Sequence, residues 1–198
     1  MTRVGVRHAR EEDFDALAEV LARAFADDPV TAWFFPGART RLARARRLFV
    51  IRLRQLAPQG AIFTTADHAG AALWAMPAHW REDGQALRAL LPAVPVILPR
   101  PLRALRASAR IDAHHPAEPH FYLSVLGTDP GRRGEGVGSA LLEPVLARCD
   151  VERRPAYLEA SRERNVAFYE RHGFAVRTRI ELPGGGPPLW LMWRPPRP

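Results

Sequence analysis

The sequence contains no lysine, so every one of its 29 Lys+Arg cations is an arginine. The resulting net charge of +8 with histidine neutral bears on solubility and steering, not on fold. A chain this heavy in alanine, arginine and proline reflects a GC-rich coding style as much as a polyanionic partner. A lone cysteine, Cys149, excludes an internal disulfide and a cysteine-rich zinc site. No stretch approaches the roughly 20 consecutive apolar residues of a membrane helix. The greasiest run, Val94–Leu98, is interrupted by Pro95 and flanked by Pro92 and Pro99. The opening Met1-Thr2-Arg3-Val4-Gly5 lacks the apolar core of a signal peptide. The expectation is a cytoplasmic protein with no membrane partner. Internal repeats are absent, and the proline-rich tail over 195–198 is expected to be flexible.

What is present fits one compact domain, with room for a second small one. Arginines concentrate in Arg39–Arg54 and recur at Arg100, Arg103, Arg106 and Arg110. They share helical spacing with Leu42, Phe49, Leu53 and Leu56, or with Leu102 and Leu105. Solvated helix faces are the preferred reading; a nucleic-acid or anionic-membrane surface is the minority one.

Periodicity predicts a strand over 2–8 and a helix from Glu11 to Phe25 with Phe14, Leu17, Leu21 and Phe25 as its apolar stripe. Asp27-Asp28-Pro29 ends that helix, and Trp33, Phe34, Phe35 and Pro36 crowd a loop. A helix over 39–57 precedes a hairpin of strands near 60–66 and 69–76. Helices over 82–91 and 101–112 flank a proline-broken stretch. Strands over 120–126, 156–161, 174–181 and 188–193 then alternate with helices over 134–149 and 162–171. The expected class is α/β (α+β): a mixed sheet with helices on its faces. Pro144, inside the 134–149 helix, predicts a kink.

The strongest chemical signal is Leu126-Gly127-Thr128-Asp129-Pro130-Gly131-Arg132-Arg133-Gly134-Glu135-Gly136-Val137-Gly138. A strand runs into a glycine-dense turn that opens a helix. Such a turn leaves backbone N–H groups free for a phosphate or pyrophosphate at the positive end of the helix. Arg132 and Arg133 add charge beside it. Three other readings compete. The glycines also suit a plain helix start. Gly134, Gly136 and Gly138 give G-x-G-x-G where a Rossmann turn needs G-x-G-x-x-G. A Walker loop needs a lysine that the chain lacks.

Arg133, Gly136 and Gly138 after Thr128-Asp129-Pro130 resemble motif A of the GNAT superfamily, the acetyl-CoA-dependent N-acetyltransferases. Tyr157-Leu158-Glu159-Ala160-Ser161, followed by Asn165, Phe168-Tyr169 and Gly173-Phe174, looks like the family's motif B. The resemblance is densest over 120–180. Ala24-Phe25-Ala26-Asp27 before Pro29, Leu73-Trp74 ahead of Pro77, and Pro155–Ser161 resemble the puromycin acetyltransferase branch in architecture. The resemblance implies a GNAT fold, about seven strands splayed at the fourth with helices on both faces. It implies one domain over 1–194, its 1–119 half serving the acceptor and its 120–194 half acetyl-CoA.

The implied reaction is direct attack of an amine on acetyl-CoA, without metal. Backbone groups of Leu126, Gly127 and Thr128 would meet pantetheine like an added strand. Arg132, Arg133, Gly134, Glu135, Gly136, Val137, Gly138 and Ser139 would surround the pyrophosphate, and Asn165 would bond the pantetheine arm. Tyr169, four residues on and so on the same helix face, would protonate the departing thiolate. Glu159 is the leading base for the amine, and a structural ion pair is its equal rival; Asp27, Asp28 and His120 are alternatives. His114, His115 and His120 read as ordinary loop histidines, and Ser161 as a helix cap. Trp33, Phe34, Phe35, Trp74 and Trp80 would wall the acceptor pocket, with Asp27 or Asp28 attracting a cation. The implied activity is N-acetylation of a small-molecule primary amine. A protein or peptide N-acetyltransferase, a non-catalytic acyl-CoA binder and a basic nucleic-acid-binding module are the rivals. Oligomeric state, a homodimer included, stays open.

Overall fold

A computed structural model describes residues 4–59, 61–77 and 101–198. The helix expected over 82–91, the proline-broken stretch and Trp80 lie outside the described residues. The described elements are β1 (Val6–His8), α1 (Phe14–Ala24), α2 (Pro29–Phe34), α3 (Ala38–Leu56), β2 (Ile62–Thr65), β3 (Gly70–Ala75), α4 (Pro101–Asp112), β4 (Phe121–Thr128), α5 (Val137–Val151), β5 (Ala156–Ala160), α6 (Val166–Arg171), β6 (Ala175–Glu181) and β7 (Pro188–Arg194). The seven strands form one sheet in the order β1-β2-β3-β4-β5-β7-β6. The pairs are antiparallel except β4–β5, which is parallel. This is the expected α/β GNAT fold.

Helices cover both faces. Leu141, Leu142, Val145 and Cys149 of α5 pack with Phe63, Trp74, Phe121, Leu158 and Met192 on one side. On the other, Phe14, Leu17 and Leu21 of α1 meet Phe49 and Leu53 of α3 over Ile62, Leu73 and Val125. Farther along that side, Ala107 of α4 packs on Tyr157, Leu191 and Trp193, with Trp33 and Phe34 of α2 against them. The aromatic stretch expected as a loop thus begins as a helix. Pro29 takes the first helical position, and Asp28 Oδ1 accepts from the N–H groups of Val30 and Thr31, both at 3.0 Å. A capping aspartate followed by proline starts a helix as surely as it ends the preceding one.

Two irregularities shape the centre of the sheet. The β4–β5 register stops at Leu123↔Leu158, so 124–128 run on past the junction with their β5-facing edge open. On the other edge of β4, Leu73 pairs with Val125 but Trp74 pairs with Leu123, leaving Ser124 as an extra residue. Such a bulge swaps which side chains face which side. Leu123 joins the α5 core and Val125 the α1–α3 core. Helix α5 runs unbroken through Pro144.

Candidate active site

Beyond the open edge of β4 the chain turns at Asp129. Its Oδ1 accepts from Gly131 N at 2.9 Å, and its Oδ2 accepts from Arg23 at 2.6 Å. Gly134 and Gly136 hold left-handed backbone, with φ of +84° and +82°, which other residues rarely adopt. A Cβ at either would meet nothing within 4 Å. The turn is therefore open in front of α5, whose first N–H groups have no intrahelical partner. A diphosphate fits there on backbone donors and the helix dipole.

The neighbouring side chains divide their roles. Arg132 is tied to Glu135 and Asp67, each at 2.6 Å, and these two carboxylates raise its proton affinity further. Arg133 touches only the Ala24 carbonyl, at 3.4 Å, so of the two it has no carboxylate partner among the described residues. Gly127 is buried under α1, where a Cβ would come within 2.7 Å of Leu21 Cδ2. Leu126, Gly127 and Thr128 thus offer backbone at the open edge. Val137 is core, a Cβ on Gly138 would lie 3.3 Å from Phe168 Cζ, and Ser139 Oγ lies 3.0 Å from His172 Nε2.

Asn165 has right-handed helical backbone, so it stays one turn from Tyr169. The Tyr169 ring packs against Phe168 and Phe174, with centroids 5.1 and 6.0 Å away. Burial, then the Asp28 charge, raise its phenol above the ordinary tyrosine range. The proton therefore stays in place through neutral pH.

Glu159 lies in a network that spans four segments. Tyr122 donates its hydroxyl to Glu159 Oε2 at 2.7 Å. Glu159 Oε1 is buried and faces His115 Nδ1 at 3.6 Å. The Tyr157 hydroxyl, on the same side of β5, is likewise buried beside this carboxylate. Burial and the Glu159 charge push both phenols up. His115 Nε2 lies 3.1 Å from His120 Nε2, and His120 Nδ1 lies 2.7 Å from the Glu118 carbonyl. Arg52 of α3 bonds the hydroxyl of the bulged Ser124, and its charge acts on Tyr122.

The acceptor-side expectations sort differently. Asp28 is 4% exposed. It caps α2 and accepts from the hydroxyl of Ser161, with Arg162 Nε at 3.9 Å. Ser161 thus bonds Asp28 and not the following helix, a correction to its expected capping role. Asp27 is exposed, and its carbonyl accepts from Arg162. Trp33 and Phe34 are half-buried over the Tyr157–Trp193 cluster, and Arg103 stacks 4.8 Å above the Trp33 ring. Trp74 is a correction: it is fully buried in the α5 core, because the regular alternation of β3 sets Ala72 and Trp74 on that face and Ala71, Leu73 and Ala75 on the other.

Sequence reasoning missed Tyr122, His115 and Arg52, which come from segments far apart in the chain. The one available signal was the carboxylate of Glu159 inside an apolar strand, which needs neighbours to satisfy it.

A family model described as an acetyltransferase (GNAT) domain matches residues 105–176. The chain is 32% identical to a Corynebacterium glutamicum protein whose crystal structure is described as histone acetyltransferase HPA2 and related acetyltransferase. That likeness covers 100% of this chain and 98% of the other, with a TM-score of 0.75. An uncharacterised N-acetyltransferase of Schizosaccharomyces pombe is 26% identical over 98% of this chain and 84% of its own length. Arylalkylamine N-acetyltransferase 2 of Aedes aegypti shares the fold, with a TM-score of 0.60 at 12% identity over 99% of this chain and 100% of that one. The chain belongs to the GNAT acetyltransferase superfamily.

Proposed function

We propose that this protein transfers an acetyl group from acetyl-CoA to a primary amine of a small molecule by direct attack. The observation that carries the reading is the end of β4–β5 pairing at Leu123↔Leu158. It opens a backbone edge that leads on one side to the Gly136 turn and on the other to Glu159. Pantetheine amides would pair with that edge as an added strand. The pyrophosphate would rest on the N–H groups of Arg133–Gly138, and Asn165 would bond the arm between them.

The amine must attack as the free base, so Glu159 takes the extra proton of the arriving ammonium, directly or across a bridging water. The nitrogen lone pair then forms the C–N bond, the C–S bond breaks, and the sulfur carries the electron pair away. Tyr169 supplies the proton that turns the leaving thiolate into a thiol, and the proton released by the acylated nitrogen restores the phenol. Trp33 and Phe34, on the Glu159 side of the sheet, give the acceptor an apolar wall. Within the superfamily, the Pro155–Ser161 run and the Ala24–Asp27 segment favour the puromycin-acetyltransferase-like branch. In this division, residues 1–119 form the acceptor side and 120–194 the cofactor side, in a cytoplasmic protein.

The test is thiol release from acetyl-CoA with a panel of small primary amines, with peptide amines as the second arm. Turnover on small amines is expected. Turnover confined to peptides would favour the protein-amine reading, for which the HPA2 description of the C. glutamicum relative speaks. Failure to bind CoA at millimolar concentration would overturn both. Salt-sensitive DNA binding without thiol release would make the chain a nucleic-acid module instead.

A further inference from the structure

The arginines of α3 are used in different ways. Arg41 donates to the Phe35, Ala26 and Pro36 carbonyls, at 2.8, 3.2 and 3.2 Å, and so fastens both ends of α2. Arg46 meets the carboxylates of Asp15 and Glu19, at 2.9 and 3.1 Å. Arg52 is half-buried, yet its bonds go to the Ser124 hydroxyl and to Gln55 Oε1, the latter at 3.4 Å. Both acceptors are neutral, and among the described residues Arg52 has no carboxylate partner. A guanidinium has five N–H donors, so three remain for something else. Its place is telling. Ser124 is the bulged residue that follows the last β4–β5 pair. Tyr122, two positions earlier, feels the Arg52 charge and donates to Glu159 Oε2 at 2.7 Å. Tyr122 also borders both apolar clusters on that face of the sheet. The positive and the negative group therefore meet where the α1–α3 core gives way to the Trp33–Phe34 wall. Asp112, another charge acting on Tyr122, is exposed and accepts from the Ser108 hydroxyl at 3.1 Å.

We infer that the acceptor carries a carboxylate as well as its amine, and that Arg52 binds the carboxylate while Glu159 receives the ammonium. This rests on the reading of Glu159 as the base, and it narrows the small amine to an amino acid or a similar amino carboxylate. A partly desolvated cation without a counter-ion is costly, and a substrate that brings the anion removes that cost. A planar guanidinium suits a carboxylate in particular. The spacing also suits one small molecule. Tyr122 and Ser124, which hold the two charged groups, are two residues apart, roughly 7 Å along a strand. An amino carboxylate with a hydrogen bond of about 3 Å at each end spans a similar gap. The two charges also fix its direction, since the reversed molecule sets carboxylate against Glu159 and ammonium against Arg52. A plain monoamine satisfies Glu159 and leaves Arg52 unpaired, so Arg52 is a specificity residue.

The test is thiol release from acetyl-CoA by the full chain with matched pairs of amines: phenylalanine against phenethylamine, tyrosine against tyramine, and γ-aminobutyrate against propylamine. Within each pair only the carboxylate differs. Wild type should favour the carboxylate member of at least one pair by about 10- to 100-fold in kcat/KM, the range for hydrogen bonds to a charged group. Arg52→Gln keeps an N–H donor for Ser124 and removes the charge, and most of the preference should go with it. Arg52→Lys keeps the charge without the fork and should retain part of it. Comparing the ratio within a pair between wild type and variant cancels the difference in amine basicity. It also cancels any loss from a shifted bulge, because a purely structural role lowers both members alike. A preference unchanged in Arg52→Gln, or a wild type that favours the plain amines, overturns the inference and leaves the small-amine acetyltransferase standing. No turnover of either member of any pair, with CoA still bound in calorimetry, overturns both. Full activity in Glu159→Gln removes the base, and with it this account of the ammonium end.

Discussion

The Tyr122 hydroxyl donates to Glu159 Oε2 at 2.7 Å, joining the two strands at the sheet's parallel junction just where their pairing ends. A carboxylate in a strand covered on both faces needs such a donor, because a buried charge without one is costly. Tyr122→Phe removes the donor and leaves the carboxylate in place. We expect a loss of about 1.5–3 kcal/mol in urea unfolding, the usual range for a hydrogen bond to a charged group. Unchanged stability would mean that Glu159 rests neutral or finds another donor.

The Gly136 turn is tested by separating strain from blockage. Gly136→Ala forces a Cβ onto a φ of +82° and should cost about 1–2 kcal/mol of stability, but a methyl group leaves much of the cradle clear. Gly136→Glu carries the same strain and adds both bulk and negative charge at the anion site. Calorimetry should find CoA binding weakened in the alanine variant and lost in the glutamate variant. Equal affinities in the two would refute the phosphate cradle.

Tyr169→Phe keeps the ring against Phe168 and Phe174 and deletes only the phenol proton. The kcat should fall by about 100-fold or more, within the range for general acid catalysis, with little change in the acetyl-CoA KM. A parallel rise in KM at constant kcat would make Tyr169 a binding group instead.

The cofactor half was legible because its signals are local. Alternating apolar residues, the glycine turn and the Asn165–Tyr169 spacing each lie within a few positions, and the strands and helices from Phe121 onward fall within a few residues of their expected bounds. The amine-side chemistry was not legible, because Tyr122, His115 and Glu159 meet only once β4 and β5 pair in parallel. Trp74 shows a second reason. Its face follows the plain alternation of β3, with Ala72 and Trp74 toward α5 and Ala71 and Leu73 toward α1 and α3, but a strand apolar on both faces does not announce which side meets which helix. The α2 helix is a third case, since Asp28-Pro29 reads equally as a stop and a start.

Acid should unfold this protein in two stages. His120 is held neutral by burial, its titration lowered to about 4 from about 6.5 in an unfolded chain. Its contribution is complete above the unfolded value and is lost as pH falls from there toward 4, because only the unfolded chain takes up the proton. His172 is lowered for the same reason and adds to that window. Asp13 governs the lower stage. It accepts two hydrogen bonds from Arg7, at 2.7 and 2.8 Å, one from the Arg10 N–H at 2.7 Å, and meets His68 Nε2 at 2.7 Å. Arg7 first, with these other partners, holds its carboxyl well below the ordinary range. Its contribution is present above about 3.9, the unfolded value, and disappears as pH falls below that toward the folded one. Urea midpoints measured from pH 8 to 3 should therefore decline modestly between 6.5 and 4 and more steeply below. His120→Gln should flatten the first decline while leaving the second. Asp13→Asn should be less stable at neutral pH and lose part of the second. A His120→Gln curve parallel to wild type across the upper window would show that His120 is not neutral in the folded protein.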